Sequence, residues 1–97
     1  MDFEWDEAKS RRNTAERGLP FDLAIALFDG PVLEWADDRS EYAEDRTCAI
    51  GMVGDRCLVC VYTWRGSDEV PSRRIISLRK ATGKERELYE ATQAKQN

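Results

Sequence analysis

Ninety-seven residues with 41 % hydrophobic side chains suffice for one folded domain with a single modest core, which excludes an intrinsically disordered chain. The sequence contains no histidine, which excludes Ser-His-Asp and Cys-His nucleophile systems, histidine zinc ligands and histidine-based ribonuclease chemistry. No apolar run is long enough to span a membrane and the acidic opening is unlike a secretory signal, so we expect a single cytoplasmic domain, residues 1–97.

The first third of the chain predicts two helices. Asp6 is a candidate N-cap for a helix that runs to Arg17, and Gly18 would end that helix as its C′ residue. A shorter helix is predicted over residues 21–28, where apolar side chains recur at helical spacing, and residues 29–31 would end it.

From residue 31 onward the pattern changes to strands. Four strands are predicted, over residues 32–35, 47–53, 56–64 and 73–79, and short turns between them indicate an antiparallel sheet. Along the third strand, residues 58, 60, 62 and 64 are expected on one face and residues 59 and 61 on the other. The acidic stretch 37–45 is interpreted as a solvated loop, with a contact for a basic partner as the alternative. Thr82 and Glu85 form a T-x-x-E capping box for a last helix that continues to about Ala94. The expected fold class is therefore α+β, in the order α-α-β-β-β-β-α, with a four-stranded antiparallel sheet.

The three cysteines are Cys48, Cys57 and Cys60, and the last two match a C-x-x-C spacing. On a strand, residues three apart point to opposite faces, and no second pair completes a zinc site. We expect buried cysteines that act as small apolar side chains, and no metal or cofactor.

The charges are unevenly distributed along a chain whose formal net charge is −4. Residues 73–87 contain six Lys and Arg against two Glu, a balance of 6 − 2 = +4, so the remainder sums to −8. Because the local potential matters more than the total charge, the basic segment is a candidate phosphate-binding site.

That basic segment lies where the last strand meets the last helix. Strand alternation is expected to send residues 74, 76 and 78 to one face and residues 75, 77 and 79 to the other. Guanidinium groups bind phosphate bidentately, and RNA supplies its own nucleophile, the 2′-hydroxyl. We expect the cationic groups to converge on one pocket for a ribose phosphate. Cations that are splayed apart, or paired with carboxylates of the same chain, would argue against a nuclease.

Individual roles follow from position, and each has a structural alternative. Glu85 is the nearest candidate general base but is also explained by capping, and Tyr89 is a candidate acid or base-stacking group that could equally be a core residue. Arg65 could add a second phosphate contact. Arg74 and Arg79 could be solvated strand charges that oppose aggregation.

A set of residues spread from position 3 to about position 90 matches the pattern of a known protein family in order and spacing. In the first half it comprises residues 3–6, Lys9, Asn13, Gly18, Phe21, Ala24 and residues 28–29. In the second half it comprises Arg46, residues 50–51, 58–63 and 65–66, residues 74–77 and 79–82, Glu85 and residues 89–90. In this order and spacing, the chain resembles the BrnT family of toxins.

The resemblance implies a RelE-like fold and a metal-independent endoribonuclease that inhibits translation. It also implies a BrnA-like ribbon-helix-helix antitoxin, which neutralises the toxin and through which operator DNA is bound. The implied active-site residues are Arg65, Arg74, Arg79 and Lys80, with Glu85 and Tyr89 as further candidates.

Two departures from the family pattern leave a second interpretation open. Relatives commonly carry Lys-His where this chain has Glu16 and Arg17, and alanine where it has Leu78. If the missing histidine assists catalysis in relatives, this chain is a catalytically weak or inactive binding module that acts through its antitoxin in operon regulation.

Overall fold

The computed structural model describes residues 2–37 and 45–96, and most of the acidic stretch 37–45 lies outside the described residues. The elements in chain order are β1 (Asp2–Glu4), α1 (Glu7–Arg17), α2 (Leu23–Asp29), β2 (Leu33–Asp37), β3 (Arg46–Val53), β4 (Arg56–Gly66), β5 (Pro71–Lys80) and α3 (Gly83–Gln96). The five strands form one sheet in the order β1-β5-β4-β3-β2.

The expectation of a four-stranded antiparallel sheet, and of the RelE-like order α-α-β-β-β-β-α, is wrong. Strands β2 to β5 do pair antiparallel, but Asp2–Glu4 forms a fifth strand that pairs parallel with residues 72–74 of β5. The sheet is therefore mixed. Three residues are too few to show a period of two, and their partner lies 72 − 2 = 70 positions away, so no local pattern indicates this strand.

The predicted helix ends of α1 are confirmed. Asp6 adopts an extended backbone and its carboxylate accepts a hydrogen bond from the Lys9 N–H at 3.1 Å, which lowers the pKa of Asp6. Gly18 has φ 71°, a left-handed conformation that glycine adopts without steric cost, and its N–H donates to the Thr14 carbonyl. None of the helices in the described ranges is long and apolar enough to cross a membrane.

The sheet carries a hydrophobic cluster on each face. The face under α1 and α2 includes Leu58, Cys60 and Tyr62 of β4, whereas Val59 and Val61 belong to the cluster under α3. This alternation along β4 is the one expected from its sequence. All three cysteines are buried, as predicted, and burial raises the pKa of the Cys60 thiol to about 12.

Helix α1 covers part of the outer edge of β5 that β1 does not reach. The buried Asn13 amide donates from Nδ2 to the Leu19 carbonyl at 2.7 Å and to the Leu78 carbonyl at 2.9 Å. The Ser10 hydroxyl accepts the Phe21 N–H at 2.9 Å. The Asn13 amide thus hydrogen-bonds a carbonyl of β5 beyond the reach of β1 and fixes α1 against that strand, whereas the bonds to Leu19 and Phe21 fix the connection between α1 and α2.

One residue of β5 interrupts the expected alternation. Val61 pairs with Ser77 and Tyr62 pairs with Ile75, so Ile76 is an extra residue, a β-bulge. The predicted alternation holds from Ser77 to Arg79. Before the bulge, each residue lies on the face opposite to the one predicted relative to residues 77–79. Ile75 and Leu78 share the α1–α2 face, whereas Arg74 lies on the α3 face with Ser77 and Arg79.

Candidate functional site

A cleft of about 370 Å³ opens on the α3 face of the sheet, between the end of α1 and the start of α3; we call it the Arg79 cleft. Strands β2 to β5 and helices α1 and α3 contribute residues to this cleft. Its lining residues are Arg17, Trp35, Asp37, Cys48, Val61, Ser77, Arg79 and Glu85.

The central feature of this cleft is a bidentate pair between Arg79 and Glu85. Arg79 Nη1 and Nη2 donate to Glu85 Oε1 and Oε2 at 2.7 and 2.8 Å. Glu85 Oε1 also accepts the Thr82 N–H at 2.8 Å, and the Thr82 hydroxyl accepts the Glu85 N–H, so the predicted capping box is confirmed. The two hydrogen bonds between Arg79 and Glu85 fix the plane of the guanidinium at the N-terminus of α3.

The same contacts determine the protonation of Glu85. Hydrogen bonds from Arg79, followed by those from Thr82, lower the pKa of this carboxyl group from 4.5 to about 2. A carboxylate with such a low proton affinity is a weak general base at neutral pH. Glu85 is therefore suited to holding Arg79 in place, and poorly suited to removing a proton.

This low pKa predicts a pH-dependent stability difference between the wild-type protein and Glu85→Gln. Glutamine keeps a hydrogen-bonding side chain at the capping position but has no charge. Because the folded-state pKa is below the usual value, the ionised carboxylate stabilises the fold above about pH 4.5, and this contribution is lost as the pH falls towards 2. At pH 7 the wild type should be more stable by about 1–2 kcal/mol.

Urea unfolding at pH 7, 4 and 2.5 measures this difference. Glu87→Gln is the matched control, since Glu87 lies on the exposed surface of α3 and has no ion pair within residues 2–37 and 45–96. A gap between wild type and Glu85→Gln that stayed constant at all three pH values would contradict the assignment.

Arg17 brings a second guanidinium to the Arg79 cleft. Its Nη1 donates to the Asn13 side-chain oxygen at 3.2 Å and approaches the Leu78 carbonyl at 3.4 Å. Arg17 stands at the position where the resemblance to BrnT toxins calls for histidine. The difference that the resemblance implies therefore falls within the Arg79 cleft, where this chain has a guanidinium group.

The expected convergence of all the cationic candidates on one pocket is wrong. The cations are divided between two clefts, and Arg74 and Arg79 pair with carboxylates of the same chain, which is the outcome stated above as arguing against a nuclease. Arg74 shares a face with Arg79, but its Nη1 lies 3.8 Å from Glu4, and Arg65 is exposed on β4, where it pairs in register with Ser72. Neither lines the Arg79 cleft. The bulge at Ile76 brings Arg74 onto the face of Arg79, but strand β1 places Glu4 beside Arg74, and no local sequence signal indicates that strand.

Lys80 lines a different cleft, of about 440 Å³, which we call the Lys80 cleft. Successive strand residues point to opposite faces, which separates Lys80 from Arg79. Arg56 and Arg86 line the same cleft. In the described part of the chain neither Lys80 nor Arg56 has an ion pair, while Arg86 Nε lies 3.4 Å from Glu90.

Tyr89 packs into the core and does not line either cleft. Its side chain is 5 % exposed within the cluster under α3, and its hydroxyl donates to the Pro31 carbonyl at 2.8 Å. Burial raises the pKa of this phenol, which disfavours its ionised form. The geometry agrees with the packing alternative for this residue.

Several lining residues of the Arg79 cleft were not candidates from the sequence. Trp35 and Asp37 lie on the edge strand β2 and reach the cleft because Trp35 is paired with Cys48, and Cys48 with Val61. Only the register shows this, since the sequence of β2 alone does not say which strand it joins. Within the described ranges, no group of three or more acidic or cysteine side chains is arranged to hold a metal ion.

Comparison with protein families decides what kind of domain carries these clefts. The model of the ribonuclease toxin BrnT, of type II toxin–antitoxin systems, matches residues 5–85. The chain belongs to the BrnT family. The matched segment includes every lining residue of the Arg79 cleft and ends at Glu85. No curated protein matches the chain.

Membership of this family has direct consequences. A BrnT toxin is a ribonuclease of a type II toxin–antitoxin system, so its biological context includes an antitoxin. The family match runs from α1 to the third residue of α3 and includes every lining residue of the Lys80 cleft except Arg86.

Proposed function

We propose that this BrnT-family chain is a metal-independent endoribonuclease that cleaves RNA in the Arg79 cleft and thereby inhibits translation. A BrnA-like ribbon-helix-helix antitoxin would neutralise it and link it to operator DNA. The observation that carries the proposal is the presence of two arginines, Arg17 and Arg79, in one cleft of a family of ribonuclease toxins.

The chemistry requires little beyond positioning and charge. The 2′-hydroxyl gives its proton to a solvent water and its oxygen attacks the adjacent phosphorus. The bond from phosphorus to the 5′-oxygen breaks, that oxygen takes up a proton from solvent, and the products carry a 2′,3′-cyclic phosphate and a 5′-hydroxyl. Negative charge develops on the phosphoryl oxygens in the transition state. Two fixed guanidinium groups stabilise that charge electrostatically, and a preorganised donor of this kind contributes about 100-fold or more to the rate.

The remaining candidates take supporting roles in this proposal. Glu85 positions Arg79 through the bidentate pair, and Tyr89 anchors α3 to the sheet. Arg65 and Arg74 bind phosphates of the RNA outside the cleft, and Lys80 binds the backbone further away, through the Lys80 cleft.

Incubation of the purified protein with a long single-stranded RNA in the presence of EDTA tests the proposal. We expect cleavage products with cyclic phosphate ends, and no cleavage at positions where the nucleotide is 2′-deoxy, because the nucleophile is then missing. Expression of the chain without its antitoxin should arrest bacterial growth. Intact RNA over a wide range of protein concentrations would contradict the proposal.

A second candidate function is favoured by a specific observation. Arg79 and Arg74 both have carboxylate partners on the same chain, Glu85 and Glu4, as a module with weak or no catalytic activity would allow. In that case the domain acts through its antitoxin in operon regulation. Purified protein that binds its antitoxin tightly but leaves RNA intact would favour this second function.

A further inference from the structure

The three tryptophans of the chain have different environments. Trp5 Nε1 donates to Glu7 Oε1 at 2.7 Å. The Trp64 ring lies 5.5 Å from the Tyr62 ring and 4.7 Å from the Arg73 guanidinium. Trp35 is 37 % exposed and, among the residues that the structure describes, has neither a hydrogen bond on Nε1 nor an aromatic or cationic contact on its ring. Its indole is the one without such a partner in that part of the chain.

Trp35 is also placed next to the proposed reaction site. The register aligns Trp35 with Cys48, Cys48 with Val61, and Val61 with Ser77, so these side chains form one row across β2 to β5. With neighbouring strands ~4.8 Å apart, the row is about 14 Å long. Its two ends reach into the same cleft, with the indole at one end and Arg79 beside the other.

We propose that Trp35 is a nucleobase-binding platform, on which an unpaired base of the RNA stacks while Arg79 holds the neighbouring phosphate. This inference rests on the proposed function and describes how the Arg79 cleft would bind its RNA substrate. Proteins bind single-stranded RNA by combining a cationic track for the backbone with aromatic side chains for the bases. The floor between the two ends, Cys48 and Val61, is apolar.

The surroundings of Trp35 favour a nucleotide over a protein partner. A protein-docking surface would group exposed apolar side chains together. The other large exposed apolar residues of the described chain, Ile25, Trp64, Val70 and Leu88, do not line the Arg79 cleft. Trp35 instead shares its cleft with two arginines, Arg17 and Arg79, and with two carboxylates, Asp37 and Glu85. The indole suits an aromatic ring and the arginines suit a phosphate.

Binding of a fully 2′-O-methylated single-stranded oligonucleotide, followed by fluorescence anisotropy of a label on the RNA, separates recognition from cleavage. Methylation removes the nucleophile, so the test does not depend on catalysis. We expect Trp35→Ala to raise the Kd about 10- to 100-fold and Trp35→Phe to restore most of the affinity. Trp64→Ala, which removes a comparably exposed indole outside the cleft, should leave the Kd within about twofold of the wild-type value.

An oligonucleotide of the same length with abasic sites is the second probe. It keeps the phosphates but offers no ring, so wild type and Trp35→Ala should bind it equally. A general loss of structure in Trp35→Ala would weaken binding to both oligonucleotides, whereas loss of a base platform weakens binding only to the one with bases.

The outcomes distinguish this inference from the proposed function. Trp35-dependent binding by a protein that cleaves no RNA would support the platform and overturn the nuclease proposal. Equal binding by wild type and Trp35→Ala, or no binding of the oligonucleotide by the wild type, would overturn the platform, even if unmodified RNA is cut. A loss confined to antitoxin binding would also overturn it and assign Trp35 to the protein interface.

Discussion

Replacing Arg79 with alanine should lower the rate of RNA cleavage by the purified protein about 100-fold or more. The substitution removes the guanidinium that Glu85 holds at 2.7 and 2.8 Å, and with it the preorganised charge that we propose stabilises the scissile phosphate. The measurement is the single-turnover rate on a labelled RNA. In bacteria that express the chain alone, the same substitution should relieve the growth arrest.

Two further variants show whether the effect is specific. Arg79→Lys keeps the charge but cannot form the bidentate pair, so its rate should fall between those of the wild type and Arg79→Ala. Arg11→Ala removes an exposed arginine of α1 that does not line the Arg79 cleft, and its rate should match the wild type. Circular dichroism confirms that each variant is folded. Folded Arg79→Ala with wild-type cleavage would place the chemistry elsewhere.

Substitution of Asn13 by alanine should cause the largest loss of stability among single changes outside the apolar core, about 2–3 kcal/mol. The Nδ2 group donates to the carbonyls of Leu19 and Leu78, and both acceptors lose that partner in a buried environment when the amide is removed. For a domain of this size, such a change lowers Tm by ~8–20 °C. Thermal unfolding followed by circular dichroism measures it directly.

Neighbouring and isosteric variants sharpen this result. Thr14→Ala removes a hydroxyl that donates to the Ser10 carbonyl on the exposed side of α1, and its stability should stay within about 0.5 kcal/mol of wild type. Asn13→Asp keeps the shape but places a carboxylate oxygen opposite two carbonyl oxygens, so it should be at least as destabilising as Asn13→Ala. A stable Asn13→Asp protein would mean that the two hydrogen bonds contribute little.

The features predicted correctly from the sequence are those fixed by nearby residues. The N-cap at Asp6, the left-handed end of α1 at Gly18 and the capping box of Thr82 and Glu85 each involve partners within four positions. The alternation along β4 is also local, because a strand shows its period of two within its own length. The capping alternative for Glu85 came from this same reasoning.

The features that the sequence did not predict depend on distant partners. Strand β1 forms because β5 presents an edge to it, and the bulge at Ile76 exists only relative to the register of β4. The composition of the candidate site inherits both effects. Residues 74–80 are close in sequence, yet the fold distributes their cations between two clefts and an ion pair with Glu4, and it brings Trp35 from β2 into the site.

The parallel strand has a consequence for the order in which the sheet assembles. Each antiparallel pair in the meander from β2 to β5 joins strands that are consecutive in sequence, whereas Asp2–Glu4 must close a loop of 70 residues to meet β5. Closing a long loop lowers the entropy of the chain before any contact between its ends has formed. The contacts of a three-residue strand offset little of that loss. We therefore expect the meander to form first and the N-terminal strand to dock last, so that one flank of β5 stays exposed until it does.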